Sequence, residues 1–279
     1  MFVSSIEMIK AARESRYAVP AFNAENMEMV KAIVEAAERV SSPVMIQTTM
    51  PTVKYIGEET AVAMVKAAAD RASVPVALHL DHCTSFEAVM RALRAGYTSV
   101  MFDGSKLPFE ENAEITRRVV EAARPMGVTV EAELGTVGGK EDNVSASIIY
   151  TDPEEAKKFV ELTGVDILAI AIGTAHGFYK GEPKLDFDRI DAVRHLIDTP
   201  LVLHGGSGIP VESVKRAIFL GMSKVNFATE LRAAMTAAVR EALKDESIID
   251  PKKFMGPGKE AVIALCLDKI DMCGSAGKA

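Results

Sequence analysis

The chain has 279 residues, 48% of them apolar and 25% charged, with a net charge of −7 at neutral pH. That balance supplies a buried core and argues against a basic face that grips nucleic-acid phosphates, while leaving room for a small cationic pocket. Cys83, Cys266 and Cys273 form neither an even disulfide set nor a close ligand pair, residues 1–17 lack a leader-like apolar run, and no run approaches the roughly 20 residues of a membrane span, so a cytoplasmic protein with no membrane partner is expected.

In chain order, short apolar or β-branched runs occupy residues 17–23, 43–49, 75–81, 99–103, 128–134, 166–173, 200–204 and 224–227. Each precedes a helix-like stretch: 27–40, 58–72, 86–95, 112–123, 153–162, 187–197, 211–220 and 230–243. In the first of these, Met27, Val30, Ile33, Val34 and Ala37 fall on one helical face, which reads as core packing. Gly96, Gly164 and Gly221 stand where helices should stop. Continuously apolar strands alternating with helices mean a parallel sheet buried on both faces. Eight such units predict a (β/α)8 TIM barrel, in one domain spanning 1–279. An open doubly wound sheet is the weaker alternative, because the first strand ends at Asn23-Ala24-Glu25-Asn26 without a glycine-rich turn. An extra C-terminal helical segment is expected over about 259–272, packed on the barrel or on a partner subunit, followed by a mobile tail.

Barrel enzymes work where their strands end. Four of the five histidines lie at those ends: His79 and His82 on strand three, His176 after strand six and His204 on strand seven. His195 sits in a helix and reads as a surface or packing residue. Three histidines from three strands suit an open metal site, because imidazole ligates zinc and a free fourth position can polarise a carbonyl. His82, His176 and His204 are the candidates, with His79 packing or hydrogen bonding beside them. Asp81, Asp103, Glu131, Glu133 and Glu141 crowd the same end, and Glu131 and Glu133 share a face of strand five, taken as the barrel interior. Gly205-Gly206-Ser207-Gly208 lies between strand seven and a helix, where backbone N–H groups can hold a phosphate, and residues 226–229 can complete that cradle. The glycine-containing loop 135–142 is expected to act as a lid that carries Glu141. The one lysine on a predicted strand, Lys224, stands at the start of strand eight, the end away from the chemistry, so a Schiff-base mechanism is set aside.

Six segments in order carry a family resemblance: PVALHLDH from Pro75, SVMFDGS from Ser99, VEAELG from Val130, AHG from Ala175, LVLHGGSG from Leu201 and KVNFATE from Lys224. Together they resemble the class II fructose-bisphosphate and tagatose-bisphosphate aldolases over essentially the whole chain. The resemblance implies a lyase that cleaves a ketose 1,6-bisphosphate to dihydroxyacetone phosphate and glyceraldehyde 3-phosphate. It implies His82, His176 and His204 as ligands of a catalytic Zn2+, with Asp103 and Glu133 at a second or alternative divalent position. It implies Asp81 as acid/base on the C4 oxygen and Glu141 as the loop acid that moves a proton at the ketone side. Gly177, Gly205, Gly206, Ser207, Asn226, Phe227, Ala228 and Thr229 match the dihydroxyacetone phosphate site, Asn23 and Thr49 match positions near the sugar, and a monovalent cation (Na+ or K+) accompanies the phosphate loops. Phe227 departs from the Val or Ile expected there. The expected partners are the small phosphorylated sugar and further copies of the chain, as a homodimer or homotetramer. An aldolase for another phosphorylated ketose, such as an inositol-pathway intermediate, and a zinc hydrolase are the alternatives.

Overall fold

The computed structural model describes residues 1–141, 144–146, 148–177, 179, 181 and 183–279, without the side chains of 140, 141 and 144–146. Among them are eleven strands: β1 (Val19–Asn23), β2 (Val44–Thr49), β3 (Val76–Cys83), β4 (Ser99–Phe102), β5 (Thr129–Leu134), β6 (Gly138–Glu141), β7 (Val144–Ala146), β8 (Ile167–Ile170), β9 (Ala175–His176), β10 (Leu201–Leu203) and β11 (Met222–Phe227). Eight of them close a parallel barrel in the order β1-β2-β3-β4-β5-β8-β10-β11, with β11 pairing back to β1. These are the eight expected strands, with ends that differ by no more than three residues.

Strand alternation sorts side chains into two layers. Leu78, Leu80, Phe102, Ala132, Leu168 and Phe227 pack outward against the helices. Val19, Ala21, Met45, Ala77, Ile167, Ala169 and Val202 fill the interior. Helix Ile6–Ser15, which the periodicity reading passed over, closes that interior from the end where the strands begin, through Met8, Ile9 and Ala12. Burying Ile9 there contributes about 2 kcal/mol, and a charged substitution at Ile9 would unseat the plug.

Helix starts and stops follow local chemistry. The side chains of Asn26, Ser85, Asp152 and Asp186 each accept from backbone N–H groups at a helix start. Gly96, Gly164 and Gly221 end their helices at positive φ, as expected. A short helix, Met50–Ile56, was not foreseen; its Pro51 falls in the first turn, where proline is well tolerated.

The C-terminal helix is longer than expected, Pro251–Cys273, and it continues through Pro257. It packs on this chain's own helices Thr229–Ala242 and Met27–Arg39. Gly258 permits close approach, since a Cβ there would lie 2.9 Å from Val239. The tail, expected to be mobile, folds back on the chain. Gly274 turns the chain back at φ 65°, Ser275 is buried on Ser42, and the N–H groups of Gly277 and Ala279 donate to Val40 and Ser41. Among the described residues no helix is long and apolar enough to cross a membrane.

Candidate active site

The site sits where the barrel strands end, and β3 provides two of its side chains through a local irregularity. His79 and Asp81 alternate inward with Ala77, while Leu78 and Leu80 face the helices. Simple alternation would send His82 outward. The register of β3 on β4 shifts between Leu80 and Cys83, and His82 adopts φ 48°. This bulge turns His82 back toward the interior, where its Nε2 lies 2.7 Å from His204 Nδ1. His79, expected to pack or hydrogen bond beside the histidine set, does so, with its Nδ1 2.8 Å from Ser99 Oγ.

His204 stands just past β10. His176 comes from β9, six residues beyond the end of β8, and β9 pairs in parallel with β6 at Gly138↔Ala175 and Gly139↔His176. The expected lid loop is thus in part a strand, paired antiparallel with β7 and parallel with β9. The side chain of Glu141, at the end of β6, lies outside the described residues.

The rings of His82, His176 and His204 converge, with one nitrogen from each lying within 4.8 Å of the others. Burial holds His176 and His204 well below the ordinary imidazole value, and the neighbouring His82 adds to this. Both rings are therefore neutral, the form that ligates metals. His82 Nδ1 lies 3.0 Å from Asp103 Oδ2 and 3.7 Å from Glu133 Oε2. Burial works against the Asp103 carboxylate, but the His82 hydrogen bond and charge, with help from Ser105, hold it well below the usual carboxylate range. Burial pushes Glu133 up to about 8, with Asp103 adding to the rise. Its Oε1 accepts from Val137 N–H, while its buried Oε2 has no hydrogen-bond partner among the described residues and sits 4.0 Å from His204 Nδ1. Three converging imidazoles, those of His176 and His204 neutral, beside an orphaned carboxylate oxygen fit a single divalent cation.

Beside the histidines lies a network of amides and one acid. Gln47 Nε2 donates to Asn23 Oδ1 (2.8 Å) and Asp81 Oδ2 (3.0 Å), and Asn226 Nδ2 donates to Asp81 Oδ1 (3.4 Å). Three buried atoms in it, Asn23 Nδ2, Gln47 Oε1 and Asn226 Oδ1, have no partner among the described residues. Unsatisfied buried amides are costly, so a hydroxylated ligand fits here. Burial raises the carboxyl of Asp81 above its usual range, against the pull of His82 and Lys224. Gln47 was missed because an interior glutamine looks like any polar strand residue; its place two residues before Thr49 was the available signal. Thr49, buried and opposite Asp81 in register, contacts Thr52.

The turn after β10 forms the expected cradle. Gly206 N–H donates to Asn226 O, and Ala228 N–H donates to Ser207 Oγ, which ties this turn to the end of β11. A Cβ on Gly205 would lie 2.5 Å from Ala175 O, so the turn needs glycine there as well as φ 68°. Tyr179, also missed, donates to Gly205 O and accepts from Ala175 N–H, which joins the cradle to the His176 strand. Gly177 follows His176 at φ 90°, and Thr229 opens helix Thr229–Ala242. Phe227 differs from the rest: its ring is fully buried in the outer layer, 5.7 Å from that of Phe22, and its edge backs the turn at Gly206, where a Cβ would lie 3.1 Å from Phe227 Cε1. His195, at the surface, contacts only its own helix among the described partners.

Lys224 is placed differently from expectation. The strand begins at Met222, and Lys224 is wholly buried, in register with the interior residues Val19 and Val202. Its Nζ lies 2.8 Å from Glu131 Oε2, inside the barrel.

A closed parallel barrel with a cluster of histidines, a buried acid and a glycine cradle at its strand ends defines a metal-dependent enzyme of phosphorylated small molecules. The family model described as fructose-bisphosphate aldolase class-II matches residues 3–278. The chain is 50% identical to a fructose-bisphosphate aldolase of Geobacillus stearothermophilus over 282 residues, covering 99% of this chain and 98% of that protein. It is 45% identical to a fructose-bisphosphate aldolase of Thermus caldophilus, covering both chains fully. The solved YdjI aldolase of Escherichia coli K12 superposes with a TM-score of 0.90 at 37% identity, again over the full length of both. The chain belongs to the class II fructose-bisphosphate aldolase family and is a metal-dependent aldolase.

Proposed function

We propose that this protein, as one domain over 1–279, reversibly cleaves a ketose 1,6-bisphosphate, fructose or tagatose, to dihydroxyacetone phosphate and glyceraldehyde 3-phosphate. The observation that carries the reading is the convergence of His82, His176 and His204 within 4.8 Å, beside Asp81 and three unpartnered amide atoms. His82, His176 and His204 would hold the cation, and the all-imidazole set favours zinc. When bound, zinc supplies a Lewis acid for the C2 carbonyl oxygen. His82, Asp103 and Glu133 form a second group of the same tightness that shares His82, and they would hold a divalent ion at a second or alternative position. A monovalent cation, Na+ or K+, beside the phosphate loops enters through the family resemblance alone, as does assembly into a homodimer or homotetramer.

In this reading the turn at residues 205–207 and residues 226–229 enclose one phosphate, with Gly177 alongside, while the N–H groups of Gly206 and Ala228 tie the two segments together. Asn23, Thr49 and Asn226 bind sugar oxygens, which would satisfy Asn23 Nδ2 and Asn226 Oδ1. Asp81, its carboxyl raised by burial and held by Gln47, takes the proton of the C4 hydroxyl as the C3–C4 bond breaks. The electron pair of that bond moves toward C2, and Glu141 supplies the proton that C3 requires. An aldolase for an inositol-pathway ketose is the nearest alternative. The test is product analysis with fructose 1,6-bisphosphate, tagatose 1,6-bisphosphate and a simple phosphoester. The reading expects triose phosphates from at least one ketose; release of inorganic phosphate alone would turn it toward a hydrolase.

A further inference from the structure

Below the histidine cluster, Lys224 reaches from β11 to Glu131 on β5, across two intervening strands. Lys224 and Glu131 are both wholly buried, and Glu131 divides its oxygens: Oε2 takes Lys224 Nζ at 2.8 Å and Oε1 takes His204 Nε2 at 2.7 Å. Glu131 Oε2 also lies 3.5 Å from Nε2 of His79, whose Nδ1 lies 2.8 Å from Ser99 Oγ.

The group His79, Asp81 and Glu131 has the tightness of a metal site. The ammonium of Lys224 already supplies its positive charge, and a divalent ion there would face that ammonium at close range. Two buried charges could be replaced by apolar side chains with little loss of stability, so fold stability does not account for the pair. What the pair does touch is one metal-site histidine, on the nitrogen turned away from His82.

We propose that Lys224 and Glu131 are positioning residues for the metal centre. Lys224 anchors Glu131, and Glu131 accepts from His204 Nε2–H, so that the ring is held with Nδ1 turned to the cation. This rests on the reading that His82, His176 and His204 hold that ion. A carboxylate behind a ligating histidine fixes its tautomer and typically changes metal affinity about 10- to 100-fold.

Two measurements test it. Nitrogen-15 NMR of the histidine side chains in the unaltered protein, with His204 assigned through His204→Asn, should show His204 protonated on Nε2. Protonation on Nδ1 alone would overturn the proposal. Cobalt affinity by chelator competition, with the visible absorption band, should fall about 10- to 100-fold with an altered band in Glu131→Met/Lys224→Met. Glu131→Gln, which keeps an acceptor for Nε2–H, should recover most of that loss. A folded double variant with parental affinity and band contradicts the proposal, and if that variant does not fold, the NMR result decides. His176→Ala, remote from the pair, separates the two failures: parental cobalt binding in it sinks the three-histidine reading itself.

Discussion

Asp81 and His82 are consecutive residues of one strand, yet both side chains face the barrel interior. The bulge in β3 and the φ of 48° at His82 make this possible. A proton-transfer group and a metal ligand are thereby held side by side at the same strand end. A non-glycine residue at positive φ costs roughly 1 kcal/mol. His82→Gly is therefore predicted to be about 1 kcal/mol more stable than His82→Ala in the metal-free state, while both lose cobalt binding. Equal unfolding midpoints for the two would remove the strain argument.

Asp81 is held by two amides and lies outside the three-histidine group. Asp81→Asn should keep zinc stoichiometry and lose turnover by about 10²- to 10⁴-fold, the usual worth of a positioned acid/base group. Gln47→Leu removes the donor to Asp81 Oδ2 and should lower kcat by a smaller factor. Wild-type cleavage by the Asp81 variant would dismiss its assignment as the base.

Gly139 pairs in register with His176, and a Cβ at Gly139 would lie 2.4 Å from His176 O. Gly139→Ala should displace β9 and weaken cobalt binding at least several-fold, although Gly139 ligates nothing. Unchanged cobalt affinity would show that β6 does not position His176.

The acids and histidines of the site pull stability in opposite directions with pH. Glu133 has a folded value of about 8, above its ordinary 4.5, so its contribution is full below 4.5 and is lost as pH climbs through 8. Asp81 is raised in the same direction. His79, His176 and His204 lie well below 6.5 in the fold, so their contribution is full above 6.5 and is lost as pH falls. Metal-free protein should be most stable near the ordinary histidine value of 6.5, and Glu133→Gln should flatten the alkaline limb. Thermal midpoints that rise steadily to pH 8 would contradict the assignment of Glu133.

Much of this was legible in the sequence because barrel strands buried on both faces are continuous apolar runs with glycine at their helix exits. All eight strands and the histidine set follow from that pattern. His82 was found by residue type, but its inward aim depends on a bulge that no alternation rule predicts. Lys224 was misread because the strand starts two residues earlier than its apolar run suggests, which changes a rim residue into an interior one. The pairing of β6 with β9 was hidden in glycine-rich sequence, where hydrophobic alternation is absent. The contacts of the tail with Ser42 and Val40 were not legible, because its small residues carry no periodic signal.

The most direct test of the account is ketose 1,6-bisphosphate cleavage after exhaustive chelation, followed by stoichiometric zinc. The account predicts that triose phosphate production falls to background and returns with zinc in the parent but not in His176→Ala. Full turnover in excess chelator, or zinc rescue of His176→Ala to the parental rate, would contradict it.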